Sequence, residues 1–167
     1  MTETVAVTER GRTLSFSFDD MNRYHGGGSP AGVATAFKVL QRAFAVLSPD
    51  TPPPRRSVAI RTAFRGPGAR DGFEAVTRAV TDSRFSVDRT LRRADLGRLR
   101  EDFVFAVDID GKSVTLVLRE GFVTDEFVDL ARAQERTAVQ ESRLDELKAQ
   151  LAEQIIGTAA TEVYDVA

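Results

Sequence analysis

The 167-residue chain has no cysteine, no tryptophan and a single histidine, His25. Without cysteine there is no disulfide, no thiolate metal ligand and no cysteine nucleophile. With one histidine, any imidazole chemistry has to pass through residue 25. Charge of one sign is also missing. Lys and Arg number 23 against 25 Asp and Glu, a net charge of -2, which excludes the strongly basic face of a nucleic-acid binder. No apolar run approaches the roughly eighteen residues of a membrane span. The opening MTETVAVTERGRTLSFSF is polar and acidic where a secretory leader would be basic and then apolar. The expectation is a cytoplasmic protein that binds neither nucleic acid nor membrane, with a length suited to one core or one core plus an appendage.

What the chain does contain is concentrated in RYHGGGSPAGVA, residues 23 to 34. Ser29 suits an N-cap and Pro30 a first helical position, since proline lacks an N–H that a helix start leaves unpaired. The spacing predicts a helix from Pro30 to Leu47, apolar on most sides, with a narrow polar stripe at Thr35, Lys38, Gln41 and Arg42. SPDTPPPRR predicts an exposed linker. Ser57 to Arg65 alternates like a strand, with Arg61 and Arg65 on one face. Asp71 followed by Glu74 reads as a capping box for a helix over roughly 72–82. A short strand at Phe85 to Asp88 and an exposed, charged connection come next. Phe103 to Ile109 and Ser113 to Arg119 read as a hairpin turned by Asp110-Gly111. Thr124 caps a further helix, and Leu144, Leu147, Leu151 and Ile155 trace one seam up to Gly157. The fold class is α+β: a helix-strand-helix-three-strand core with a mixed sheet packed by helices, over residues 1–135, and a helical extension over 136–167.

His25-Gly26-Gly27-Gly28-Ser29-Pro30-Ala31-Gly32, with GPGARDGFEAVTRAV later in the chain, resembles the FmdE-like family, the relatives of one component of formylmethanofuran dehydrogenase. Their leading motif is histidine-glycine-histidine, one variable residue, then cysteine-proline-glycine opening a long helix. The resemblance covers residues 15 to 135 and places Asp71 at the family's later aspartate. It implies a similar fold, a homodimer, and loops 25–30 and 65–71 facing each other. The family's metal site does not carry over: Gly27 stands where the second histidine would be and Ser29 where the cysteine would be. The expectation is no metal and no other cofactor, with a degenerate zinc position at which His25 is the one remaining nitrogen ligand.

Two functions fit these residues. In the first, a small molecule binds between the two loops; His25 and Asp71 carry acid/base chemistry, and Tyr24, Gly26, Gly27, Gly28, Ser29, Arg61 and Arg65 line the ligand. Glycines allow close approach of backbone to an anion, and a helix start offers N–H groups to it. In the second, the chain is a non-catalytic interaction or accessory protein that has lost the metal site and dimerises through the tail seam. Structural roles compete at every position: His25 can be held by its loop, Asp71 can be a cap, and strand arginines commonly pair with acidic neighbours. HGGG also resembles an esterase oxyanion loop, but no G-x-S-x-G nucleophile elbow accompanies it.

Overall fold

A computed structural model describes residues 2–167. The chain opens with an antiparallel hairpin, β1 (Thr4–Glu9) and β2 (Arg12–Ser17). Its turn needs left-handed backbone at Arg10 and Gly11, with φ of 51° and 75°. Ser17 then starts α1 (Phe18–His25) through a reciprocal capping box with Asp20, and Gly26, at φ 97°, stops it. α2 (Pro30–Leu47) has the bounds its spacing predicts. The core continues through β3 (Val58–Thr62), α3 (Pro67–Thr77), β4 (Phe85–Val87), β5 (Val104–Ile109) and β6 (Lys112–Leu118). Asp110 and Gly111 both have positive φ in the turn between β5 and β6. The chain closes with α4 (Asp125–Arg132), α5 (Ala138–Ile156), α6 (Ala160–Val163) and β7 (Tyr164–Val166). Two single-turn 3-10 helices, Arg89–Leu91 and Ala94–Leu96, occupy the charged connection.

The five-stranded sheet has the order β4-β3-β5-β6-β7 and is mixed, because β3 and β4 are parallel while the other pairs are antiparallel. The fold is α+β with a helical C-terminal region. Among the described residues no helix is long and apolar enough to cross a membrane.

α2 is the hub, packed against the sheet, α3 and α5. Its predicted polar stripe is covered rather than solvated. Thr35 and Lys38 are each 1% exposed. Lys38 Nζ donates to Glu3 at 3.3 Å, and Arg42 Nε donates to the Tyr164 carbonyl at 3.3 Å. The stripe is the surface that receives the two chain ends.

The tail seam follows from this. Leu144, Leu151 and Ile155 are buried at 2%, 7% and 1% exposure, with α5 packed on α2 of the same chain. The charged run from Ala131 to Arg143 is tied back to the same chain: Arg143 grips Glu126 of α4 at 2.8 Å, and Arg136 caps the end of α4 through the Leu130 carbonyl. The surface expected to join two protomers therefore lies inside one chain, and residues 164–166 complete its sheet. The proline linker is also more anchored than its composition predicts, because the Thr8 N–H donates to the Pro53 carbonyl at 2.9 Å. Proline lacks a donor but keeps its acceptor.

Candidate functional site

Two short boundaries position His25. The capping box fixes the start of α1, and left-handed glycines at 26 and 27 (φ 97° and 82°) reverse the chain into α2. Neither glycine has an atom within 4 Å of where a side chain would stand, so backbone conformation alone accounts for them. α3 begins at Pro67, behind Gly66, earlier than the Asp71–Glu74 pattern predicts. The proline and two small residues in PGARDG let this earlier start win. Asp71 consequently lies inside the helix and caps nothing. Its carboxylate is free to reach α1.

The crossing of α2 and α3 brings the two segments together. A Cβ on Gly32 would stand 2.8 Å from the Ala69 nitrogen, one on Gly72 would stand 2.8 Å from the Ala36 Cβ, and one on Gly68 would overlap the Ser29 carbonyl oxygen. Gly32-x-x-x-Ala36 and Gly68-x-x-x-Gly72 thus form two facing strips of small residues at one-turn spacing. Only side chains this small permit the approach.

At that junction His25 Nδ1 is 2.8 Å from Asp71 Oδ2, and the Ser29 N–H donates to His25 Nε2 at 3.0 Å. A backbone N–H can only donate, so Nε2 accepts and the ring proton sits on Nδ1, where it is given to Asp71. The imidazole is 9% exposed and the Asp71 carboxylate 35%. This arrangement is a clasp between α1, α2 and α3. A base at Nε2 would first have to release Ser29, and protonating Nε2 would set two donors against each other.

The other expected site residues divide. Ser29 is at the start of α2, but its hydroxyl makes no capping bond; its main-chain N–H serves His25 and its carbonyl lies against Gly68. A Cβ on Gly28 would stand 4.0 Å from His25 Nε2, and the Gly28 carbonyl accepts from Lys148 Nζ at 3.3 Å. β3 ends at Thr62, so Arg65 lies beyond the strand, exposed and without an ion pair among the described residues. Arg61 pairs with Asp88 at 3.4 Å, on the sheet edge beside β4. None of the five cavities described in this structure is lined by His25, Ser29, Arg61, Arg65 or Asp71.

Both imidazole nitrogens are engaged, and among the described residues no three His, Cys, Asp or Glu side chains gather as a ligand set.

Tyr24 faces elsewhere. It is 56% exposed and lines a cavity of about 460 Å³ with Ser15 and Phe16 of β2, Asp20 of α1, Arg55, and Glu74, Ala75 and Arg78 at the end of α3. Arg55 is held in place by donating to the Val76 and Ala75 carbonyls at 2.8 and 2.9 Å, with its guanidinium carbon 5.6 Å from the centroid of the Phe16 ring. The Asp20 carboxyl is held below the usual carboxylate range, chiefly by the Ser17 N–H. Glu74 is only 5% exposed; its Oε2 accepts from the Thr81 N–H at 2.8 Å, while its Oε1 has no hydrogen bond. Arg78 Nε lies 3.7 Å from that oxygen, also without a hydrogen bond.

The sequence pattern assigns Glu74 to a cap and gives Arg78 no role. A signal is nevertheless present: TRAVTD has no glycine where a helix ends, so Arg78 itself takes the left-handed position, with φ 57°. The chain matches no protein-family model and no curated protein.

Proposed function

We propose that this chain is a small-molecule-binding domain whose ligand enters the cavity between α1, β2 and the end of α3, while His25 and Asp71 hold α1 in position as one of its walls. The observation that carries this reading is the pair Glu74 Oε1 and Arg78 Nε, both shut off from solvent and both lacking a hydrogen bond. Buried polar atoms are nearly always satisfied, and an exception next to a cavity marks a place where something else binds. Tyr24 adds an exposed aromatic face, and the Phe16–Arg55 cation–π pair lines the same cavity.

The ligand remains a small molecule, as expected from the sequence, but its place is different. If the chain descends from FmdE-like proteins, the former metal position has become a hydrogen-bonded clasp. The 25–30 loop adjoins the start of α3, where Asp71 lies, which supports that history. Acid/base work by His25 would need Nε2 released from the Ser29 N–H.

Amide chemical-shift mapping of the full chain against a mixture of small polar ring compounds tests the reading. The expected result is saturable shifts at Ser15, Tyr24, Ala75 and Arg78. Shifts centred on Gly28, Ser29 and Arg65 would return the site to the glycine loop, and no shift at either place would remove it.

A further inference from the structure

The Glu74–Arg78 pair carries an inference about ligand class, which rests on the reading of this cavity as the binding site. The two groups are ion-paired by distance, yet their 3.7 Å separation is too long for a hydrogen bond. Glu74 cannot relax, because Oε2 is tied to both the N–H and the hydroxyl of Thr81, at 2.8 and 3.2 Å. Arg78 can. Its side chain is 44% exposed, and among the described residues its guanidinium donates to nothing. It is anchored only at the backbone, in a left-handed conformation that a non-glycine residue adopts at a cost of about 1 kcal/mol.

The local field disfavours an anion. Glu74 and Asp20 line the cavity, and the C-terminal end of α3, the negative end of its dipole, lies beside it. Arg55 has given its donors to the end of α3 and lies 3.6 Å from Glu9, so it does not offset this field freely. A cation would in turn compete with Arg78. A neutral molecule that both donates and accepts meets neither objection.

We propose that the cavity takes a neutral planar ring bearing an N–H next to a C=O on one edge, the edge of a pyrimidine, purine or other cyclic amide. The Arg78 arm turns aside and the ring edge enters the gap. Its N–H donates to Glu74 Oε1, its carbonyl accepts from the Arg78 guanidinium, and its face lies on Tyr24. Standard amide bond lengths put such an N and O about 2.3 Å apart. With the arm turned aside, Glu74 Oε1 and the guanidinium receive them as two hydrogen bonds side by side.

Uracil and 1,3-dimethyluracil separate the parts of this proposal, because they share a ring and carbonyls while the second has no N–H. Titrated into the full chain and followed by amide shifts and calorimetry, uracil is expected to bind with shifts at Tyr24, Arg78 and Thr81. Dimethyluracil should bind at least about tenfold more weakly, since Glu74 Oε1 would be left unpaired. Glu74→Gln should lower uracil affinity by a similar factor. Tyr24→Ala, at an exposed position, should weaken uracil binding without changing Tm. Equal binding of the two probes would overturn the edge recognition and leave the cavity reading intact. The same holds if other small molecules shift these residues and uracil does not. If nothing bound at these residues, both readings would fall.

Discussion

Asp71 and Glu74 lie one turn apart on α3 and end in opposite situations. Asp71 has found a partner in His25, which passes the contact on to Ser29, so three helices are tied by one saturated chain of hydrogen bonds. Glu74 is more deeply buried, yet one of its oxygens accepts no hydrogen bond, and the Arg78 guanidinium 3.7 Å from it donates none. The residues that look most chemical in the sequence are the ones the fold has consumed. Those left unsatisfied come from a helix end with no distinguishing motif. Polar saturation, rather than residue type, is what distinguishes the two carboxylates.

The contrast between the two carboxylates breaks most visibly at the glycine crossing, because the clasp exists only where α2 and α3 touch. Gly68→Ala places a methyl group into the Ser29 carbonyl and should destabilise the fold by about 3 kcal/mol. Gly27→Ala meets no atom and should cost only about 1 kcal/mol of left-handed backbone strain. Thermal or urea unfolding of the two variants checks the order. Equal losses would mean that the crossing is not held as tightly as described.

A smaller effect sharpens the contrast with a buried polar atom that has no cavity beside it. The Tyr164 hydroxyl, completely buried, makes no full hydrogen bond, although Thr35 is near enough to ease its burial, and burial raises its pKa. Tyr164→Phe keeps the edge-to-face contact with Phe105, centroids 5.7 Å apart, and should change stability by less than about 1 kcal/mol at neutral pH, in the stabilising direction. The sign at high pH follows from the raised value. The unfolded chain ionises near pH 10 while the folded chain does not, so the wild type loses stability above about pH 10 by a component that the Phe variant lacks. Urea midpoints of both proteins from pH 8 to pH 11 should therefore diverge as pH rises; parallel curves would show that the hydroxyl is not shielded.

Much of the core is legible locally. The bounds of α2, the β5–β6 hairpin and the Thr124 cap depend on neighbours in sequence, which is where proline, paired turn residues and capping hydroxyls act. Where the fold departs from the sequence pattern, distant partners are involved. The seam at Leu144, Leu151 and Ile155 reads as free because the helix that receives it, α2, is far away in the chain. The Asp71–Glu74 cap fails because Gly68 and Gly72 are needed against α2, which sets the start of α3 earlier. Of the expected site, the meeting of His25, Ser29 and Asp71 follows from the family resemblance, while their mutual saturation does not. That depends on which ring nitrogen meets which group, a matter of ångströms that spacing does not encode.

If the only histidine is fully engaged within the fold, its ring should show a single proton arrangement, and long-range proton–nitrogen correlation of His25 at pH 7.5 measures this directly. The clasp predicts a single Nδ1–H tautomer with an unprotonated, hydrogen-bonded Nε2, slow exchange of the Nδ1 proton, and loss of that pattern in Asp71→Asn. An Nε2–H tautomer, or a mixture of the two exchanging freely with solvent, would contradict it.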